Sequence, residues 1–307
     1  MNKQAGKTMT IILGFVVFMC AISCSCHAQN GGIPASDLFG RKYKAGEVYR
    51  YKLTMDEFHD GKWDHTNIAV CELKVIKDSS GVLYDEVRWV SKKTLSTKDT
   101  VDGTADALSV KPYRISLDPK GRIDLPKIEV PSLTEPIQDF NTFFVAVSPL
   151  VGATRLNKKG DSIINKEPVK ADFSNGANIL KGEDCIGFYV KIADITKKNV
   201  MLYTSFYPPS QPCLSFLSPD MNTPVVTDTI NNFQMVMQLS PDKYLVQYGR
   251  ESFYINSTMQ RPDGKLISAT MFNKLNLKLK INCDKDYKGC QFEMPFAEER
   301  KLTLTAL

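Results

Sequence analysis

The residues best equipped for chemistry stand together in one short run, His59-Asp60-Gly61-Lys62-Trp63-Asp64-His65, which holds both histidines that follow residue 28. Two imidazoles and two carboxylates this close are the raw material of a metal site. Their placement decides whether they can converge. Asp60-Gly61 is a two-residue hairpin signal. A plain hairpin there pairs His59 with Lys62 and Asp56 with His65. Side chains alternate faces along a strand. His59 then shares a face with Lys62 and Asp64, and His65 shares one with Phe58 and Trp63. The expectation is that the imidazoles point apart, so no metal ligand is assigned.

The second candidate is Cys283-Asp-Lys-Asp-Tyr-Lys-Gly-Cys290. Cys283 continues the apolar phase of Leu279 and Ile281, and Cys290 opens a new alternation with Phe292 and Met294. A hairpin closing here brings both sulfurs to one face, within disulfide reach. Asp284, Asp286 and Gly289 echo a calcium loop, but Lys288 takes an acidic position and Pro295 stands where the bidentate Glu belongs. The expectation is a Cys283–Cys290 disulfide.

Other chemistries find no residues to carry them. There is no Gly-x-Ser-x-Gly elbow, and neither histidine is placed for a Ser-His-Asp triad. Neither a phosphate loop nor a dinucleotide fingerprint occurs. Acidic residues are plentiful, so a glycan- or peptide-acting hydrolase built on paired carboxylates stays open as a third reading. The sequence assigns no catalytic residue and no cofactor.

The chain opens with Lys3 and Lys7, an apolar run from Met9 to Ile22, and Cys26-His27-Ala28 before Gln29. That order is a secretory signal peptide over residues 1–28. A second exit is Ala21-Ile22-Ser23-Cys24, in which Cys24 would be acylated as a lipoprotein anchor. The expected location is extracytoplasmic: periplasmic or secreted, with membrane attachment only if Cys24 is acylated. Formal charge falls from +5 to +3 without the signal's two lysines, too mild to argue for nucleic acid. Five cysteines remain after the signal, an odd number, so one thiol stays free or pairs with another molecule.

The elements that must position these residues read mostly as strands. After a flexible leader (29–47), Tyr49, Tyr51, Leu53 and Met55 alternate with polar residues. The return strand changes apolar phase near Val70, which predicts a bulge. Leu275, Leu277, Leu279 and Ile281 alternate with Lys274, Asn276, Lys278 and Lys280 in the clearest one-sided strand. Two stretches break the pattern. Leu133, Ile137, Phe140, Phe144 and Val147, and then Val226, Ile230, Phe233 and Met237, take helical spacing after a Thr-x-Pro or Thr-Pro start. Both are expected to be amphipathic helices. The fold expected is mainly β: a large curved antiparallel sheet or half-barrel with one or two helices packed on it. It spans 48–307 and could divide near 157–181.

Ala45-Gly46-Glu47-Val48-Tyr49-Arg50-Tyr51 resembles the first strand of several exported β-rich envelope families. The plan of a long sheet with helices on one face resembles the LolA/LolB half-barrel class of lipoprotein carriers. That resemblance implies a lipid cavity between sheet and helices, which Phe140, Phe143, Phe144 and Phe233 would line. It implies non-enzymatic binding of a lipidic or apolar ligand, with an envelope scaffold or protein-interaction module as the alternative. The partners implied are a lipid or another envelope protein.

Overall fold

The computed structural model describes residues 38, 40–118, 123, 129–148, 156–172, 178–206, 215–217, 224–226, 233–285 and 287–307. The signal segment, Cys24 and Tyr207-Pro208-Pro209 lie outside them.

The first strands are β1 (Val48–His59), β2 (Lys62–Lys77), β3 (Leu83–Ser96) and β4 (Thr100–Asp102). Helix α1 (Thr104–Ser109), β5 (Tyr113–Ile115) and α2 (Thr134–Ala146) follow. The chain continues through β6 (Ser162–Asp172), β7 (Asn178–Ile195), β8 (Asn199–Phe206), β9 (Ser215–Leu217) and β10 (Pro224–Val226). It ends with β11 (Phe233–Ser240), β12 (Lys243–Gln260), β13 (Leu266–Cys283) and β14 (Phe292–Ala306). All fourteen strands among the described residues join one sheet, ordered β10-β9-β7-β8-β12-β13-β14-β1-β2-β3-β4, with β11 on β12, β5 on β3 and β6 on β7. The strand pairings are antiparallel, and the sheet stays open between β10 and β4, in the manner of a half-barrel. The segment 157–181 holds β6 and the start of β7, which hydrogen-bonds onward to β8 in the same sheet.

Alternation builds the core. Tyr51, Leu53 and Met55 of β1, Ala69, Cys71 and Leu73 of β2, and Leu302 and Leu304 of β14 all turn to the inner face. Helix α2 lies against that face and is buried on nearly every side. Phe140 meets Tyr51 and Trp89 edge-on, at 5.8 and 5.7 Å between ring centroids, and Phe144 meets Tyr51 at 5.7 Å. Pro136 sits in the first turn of α2, where its missing N–H costs no helical bond. The helix stops before Ser148-Pro149, since a residue preceding proline avoids the helical region. Among the described residues, no helix is long and apolar enough to cross a membrane.

One expected helix gives way to strands over its described residues; 227–232, between them, lie outside the described residues. The stretch from Val226 to Met237 contains the end of β10 and the start of β11, and Phe233 stands opposite Gly249 of β12. Phe233, Met235, Met237 and Leu239 alternate with Gln234, Val236, Gln238 and Ser240, polar at all but Val236, so a period of two competes with the helical spacing. Strand pairing over Phe233–Ser240 settles the competition. Ser240-Pro241 then opens a turn, with Asp242 at φ 60°.

The end of the leader is anchored. Arg41 is buried, its guanidinium 3.0 Å from Glu47 and over the ring of Tyr43, and Lys42 N–H donates to Asp263.

Candidate functional site

The cysteine expectation holds: Cys283 and Cys290 form a disulfide. Cys283 closes β13 and is fully buried. Tyr287 from the loop packs edge-on against Tyr244, covering Val246 and Tyr248. Asp284 spends its Oδ1 on the Lys288 N–H at 2.8 Å, closing the loop on itself. Cys71 is a buried free thiol whose pKa burial pushes up, so it is not a ready nucleophile.

Phe140, Phe143 and Phe144 come together on α2, each at most 1% exposed within the main core. Phe233 stands on β11, opposite Gly249 of β12.

The histidine pair departs from expectation. Asp60 and Gly61 both take positive φ, 49° and 74°, as a type I′ turn requires. His59 pairs with Lys62 and Phe58 with Trp63, but Glu57 pairs with His65. Asp64 is therefore an extra residue in β2, a bulge. It shifts the phase of everything after it, so His65 joins His59 and Glu57 on the inner face. His59 Nε2 lies 2.9 Å from Glu57 Oε1, and His65 Nε2 lies 3.5 Å from Glu57 Oε2. Asp64 Oδ2 sits 2.8 Å from His65 Nδ1 and 3.9 Å from His59 Nε2. The imidazoles do not point apart; they flank one carboxylate. The plain-hairpin register misled because it omitted a bulge.

Neighbouring strands complete the cluster. Glu298 of β14 stands across from His59, and Arg300 stands across from Glu57. Asn273 of β13 is opposite Arg300 and donates through Nδ2 to Glu251 Oε1 at 2.6 Å. Arg300 donates to Asp139, which α2 brings in from above, and both side chains are buried. Asn67 meets the same His65 nitrogen that faces Glu57, 3.0 Å from Nδ2 to Nε2, and accepts from Thr94 Oγ1 at 2.6 Å.

Too many carboxylates share this place for all to ionise easily. Burial, reinforced by the nearby charge of Glu57, pushes Glu298 up to about 8. Burial and then Glu135 raise Glu57, while His65 and Arg300 pull it back. Burial also raises Asp139 and Glu251. The Arg300 guanidinium stays charged because the surrounding carboxylates, Asp139 foremost, outweigh its desolvation. Two sets of groups come within metal-sharing range, each with its ligand atoms inside 4.8 Å: Glu57, His59 and Glu298, and Glu57, Asp64 and His65. Such a site can hold a cation or store protons.

Sequence reasoning missed Glu298, Arg300 and Asp139. Their signal was there: Glu298 and Arg300 occupy the same alternating phase as the apolar Leu302 and Leu304. Asp139 interrupts the buried surface of an aromatic-rich helix. Charges in core phase are rarely idle. Comparison of the sequence with protein-family models and with curated proteins finds no match.

Proposed function

We propose that this chain is an exported protein of the cell envelope that binds an apolar or lipidic molecule without transforming it. The signal over residues 1–28 supplies the route. The observation that favours an amphiphilic ligand is Asn141. It lies on α2 between the phenylalanines, fully buried, and neither its Nδ2 nor its Oδ1 meets a hydrogen-bond partner. Ser257 Oγ, on β12, is buried and unpartnered as well. A buried polar group left unpaired costs about 1–3 kcal/mol. A ligand with an apolar tail and a polar group, admitted between α2 and the sheet, would satisfy such atoms while keeping the aromatic face dry.

Native mass spectrometry of the protein taken from an envelope fraction tests this reading. The expected result is a lipid-sized adduct that leaves on denaturation and is weakened by Asn141→Leu. A bare mass for the wild-type chain refutes it. The denatured mass also reports whether the chain begins at Gln29 or at an acylated Cys24.

A second reading, an envelope interaction module, is favoured by one surface. Phe292 and Met294 of β14 are 54% and 47% exposed, and they stand opposite Ile281 and Leu279 of β13. A contiguous apolar strip of this kind marks contact surfaces. Cross-linking in the envelope that captures a defined protein through this strip, together with a bare native mass, would favour the module over the carrier.

A further inference from the structure

The geometry points to a divalent transition-metal site formed by Glu57, His59 and Glu298 on the inner face of β1 and β14, and we propose that it binds a zinc-class ion. Glu57 and His59 are two apart on β1 and so share a face, and Glu298 is the direct cross-strand partner of His59. One ligand atom from each lies within 4.8 Å of the other two. A bound ion about 2.0–2.2 Å from each ligand atom fits that spacing. One imidazole with two carboxylates suits zinc and its neighbours, whereas calcium and magnesium favour all-oxygen shells.

A second, independent observation points into the site. Glu298 is only 4% exposed, yet its Oε1 has no hydrogen-bond partner. Arg300 Nε stands 3.8 Å from that oxygen, beyond hydrogen-bond length. Arg300 makes its short contact with Asp139 instead. Four carboxylates, Glu57, Glu298, Asp139 and Glu135, act on this one guanidinium. One positive charge cannot balance them, and a divalent ion would supply the missing charge where Glu57 and Glu298 crowd each other.

The surroundings match what such a site needs. The His59 side chain is 37% exposed, which leaves a way in from solvent. Glu57 turns its other oxygen toward His65, whose Nδ1 meets Asp64, so the shared carboxylate is held by groups outside the ligand set. Three protein ligands leave a zinc-class ion with an open position, the arrangement of a site that takes a further ligand.

The test uses the exported chain, stripped with a chelator and titrated with Zn²⁺ by calorimetry and with Co²⁺ by visible absorption. The expected result is one ion per chain, with the intense absorption of four-coordinate Co²⁺. Glu298→Gln and His59→Ala should each weaken binding tenfold or more, while Lys62→Ala, at the adjacent turn, should leave it unchanged. Thermal melts of the metal-free variants separate lost binding from lost fold; Glu298→Gln, which removes a crowded charge at constant shape, should melt no lower than wild type. The proposal is overturned by an absence of stoichiometric binding. It is equally overturned if binding survives both ligand substitutions and is lost only on changing Asp64 or His65. None of these outcomes depends on the lipid-binding reading.

Discussion

Glu57 and His65 face each other across the β1–β2 ladder, 3.5 Å from Oε2 to Nε2, in a pairing that a plain two-residue hairpin forbids. Asp64 is the residue that permits it. Were Asp64 paired regularly, opposite Glu57, His65 would pair with Asp56, and Ala69, Cys71, Leu73 and Val75 would turn from the inner face to the outer one. Deletion of Asp64 removes only the unpaired residue, leaves His65 opposite Glu57 and should cost within about 1 kcal/mol, whereas insertion of a second residue beside Asp64 sets four buried side chains against the turn and should lower stability by more than about 3 kcal/mol. Asp64→Gly keeps the extra residue and should cost within about 1 kcal/mol. Urea denaturation of the deletion and insertion variants checks this; equal midpoints for those two would remove the bulge from the account.

The inner phases of β1, β2 and β14, the turn at Asp60-Gly61 and helix α2 were legible in the sequence, because each repeats a single period over many residues. The bulge expected in β2 near Val70 does not form there: the inner phase of β2 runs unbroken through Ala69, Cys71 and Leu73, and the register shift at Val70 and Cys71 leaves its extra residue, Val90, in β3. Two further things were not legible. A stretch such as Phe233–Met237 carries both periods, and only pairing with β12 decides between them. The cluster around Glu57 depends on one inserted residue and on β14, more than two hundred positions away, so no local pattern could assemble it. Cys283 and Cys290 succeeded where the histidines failed because the residues between them need only close a loop, not hold a register.

Phe140 is the residue on which the helix–sheet packing rests. It is fully buried and touches Tyr51, Trp89 and Phe144. Phe140→Ala should cost about 3–5 kcal/mol, the transfer of the ring plus the cavity left behind. Phe140→Leu, which fills most of that space, should cost less than half as much. The midpoint of urea unfolding, followed by the fluorescence of Trp89, measures both. If Phe140→Ala were as stable as wild type, the ring would not be packed as described.

Loss of the Cys283–Cys290 disulfide should act locally. The bridge closes a short loop whose Tyr287 covers Val246, Tyr248 and Cys283 at the far ends of β12 and β13. The double substitution to serine should cost about 2 kcal/mol by the loop-entropy relation. Hydrogen exchange should quicken at 244–248 and 279–283, and stay unchanged at β1 and β2. Uniform quickening across the sheet would show that the bridge supports the whole fold instead.

Asp85 sets a pH dependence whose sign is unusual for a carboxylate. It is 1% exposed on β3 and accepts a 2.6 Å hydrogen bond from Tyr49 OH. Burial pushes its pKa from the ordinary 3.8 to about 6, although the Tyr49 bond and Arg41 oppose the rise. The folded state therefore holds the proton more tightly than the unfolded chain. Its contribution to stability is full below the ordinary value and is lost as pH rises toward about 6. The loss amounts to about 3 kcal/mol across that window. Asp85→Asn, which cannot ionise, should flatten this part of the profile, so the difference between variant and wild type should grow from pH 4 to pH 6 and then level off. Tyr49→Phe removes a bond that favours the charged form and should carry the decline to higher pH. Denaturant midpoints measured through that range decide it: parallel profiles for wild type and Asp85→Asn would mean that Asp85 is not held protonated by its burial.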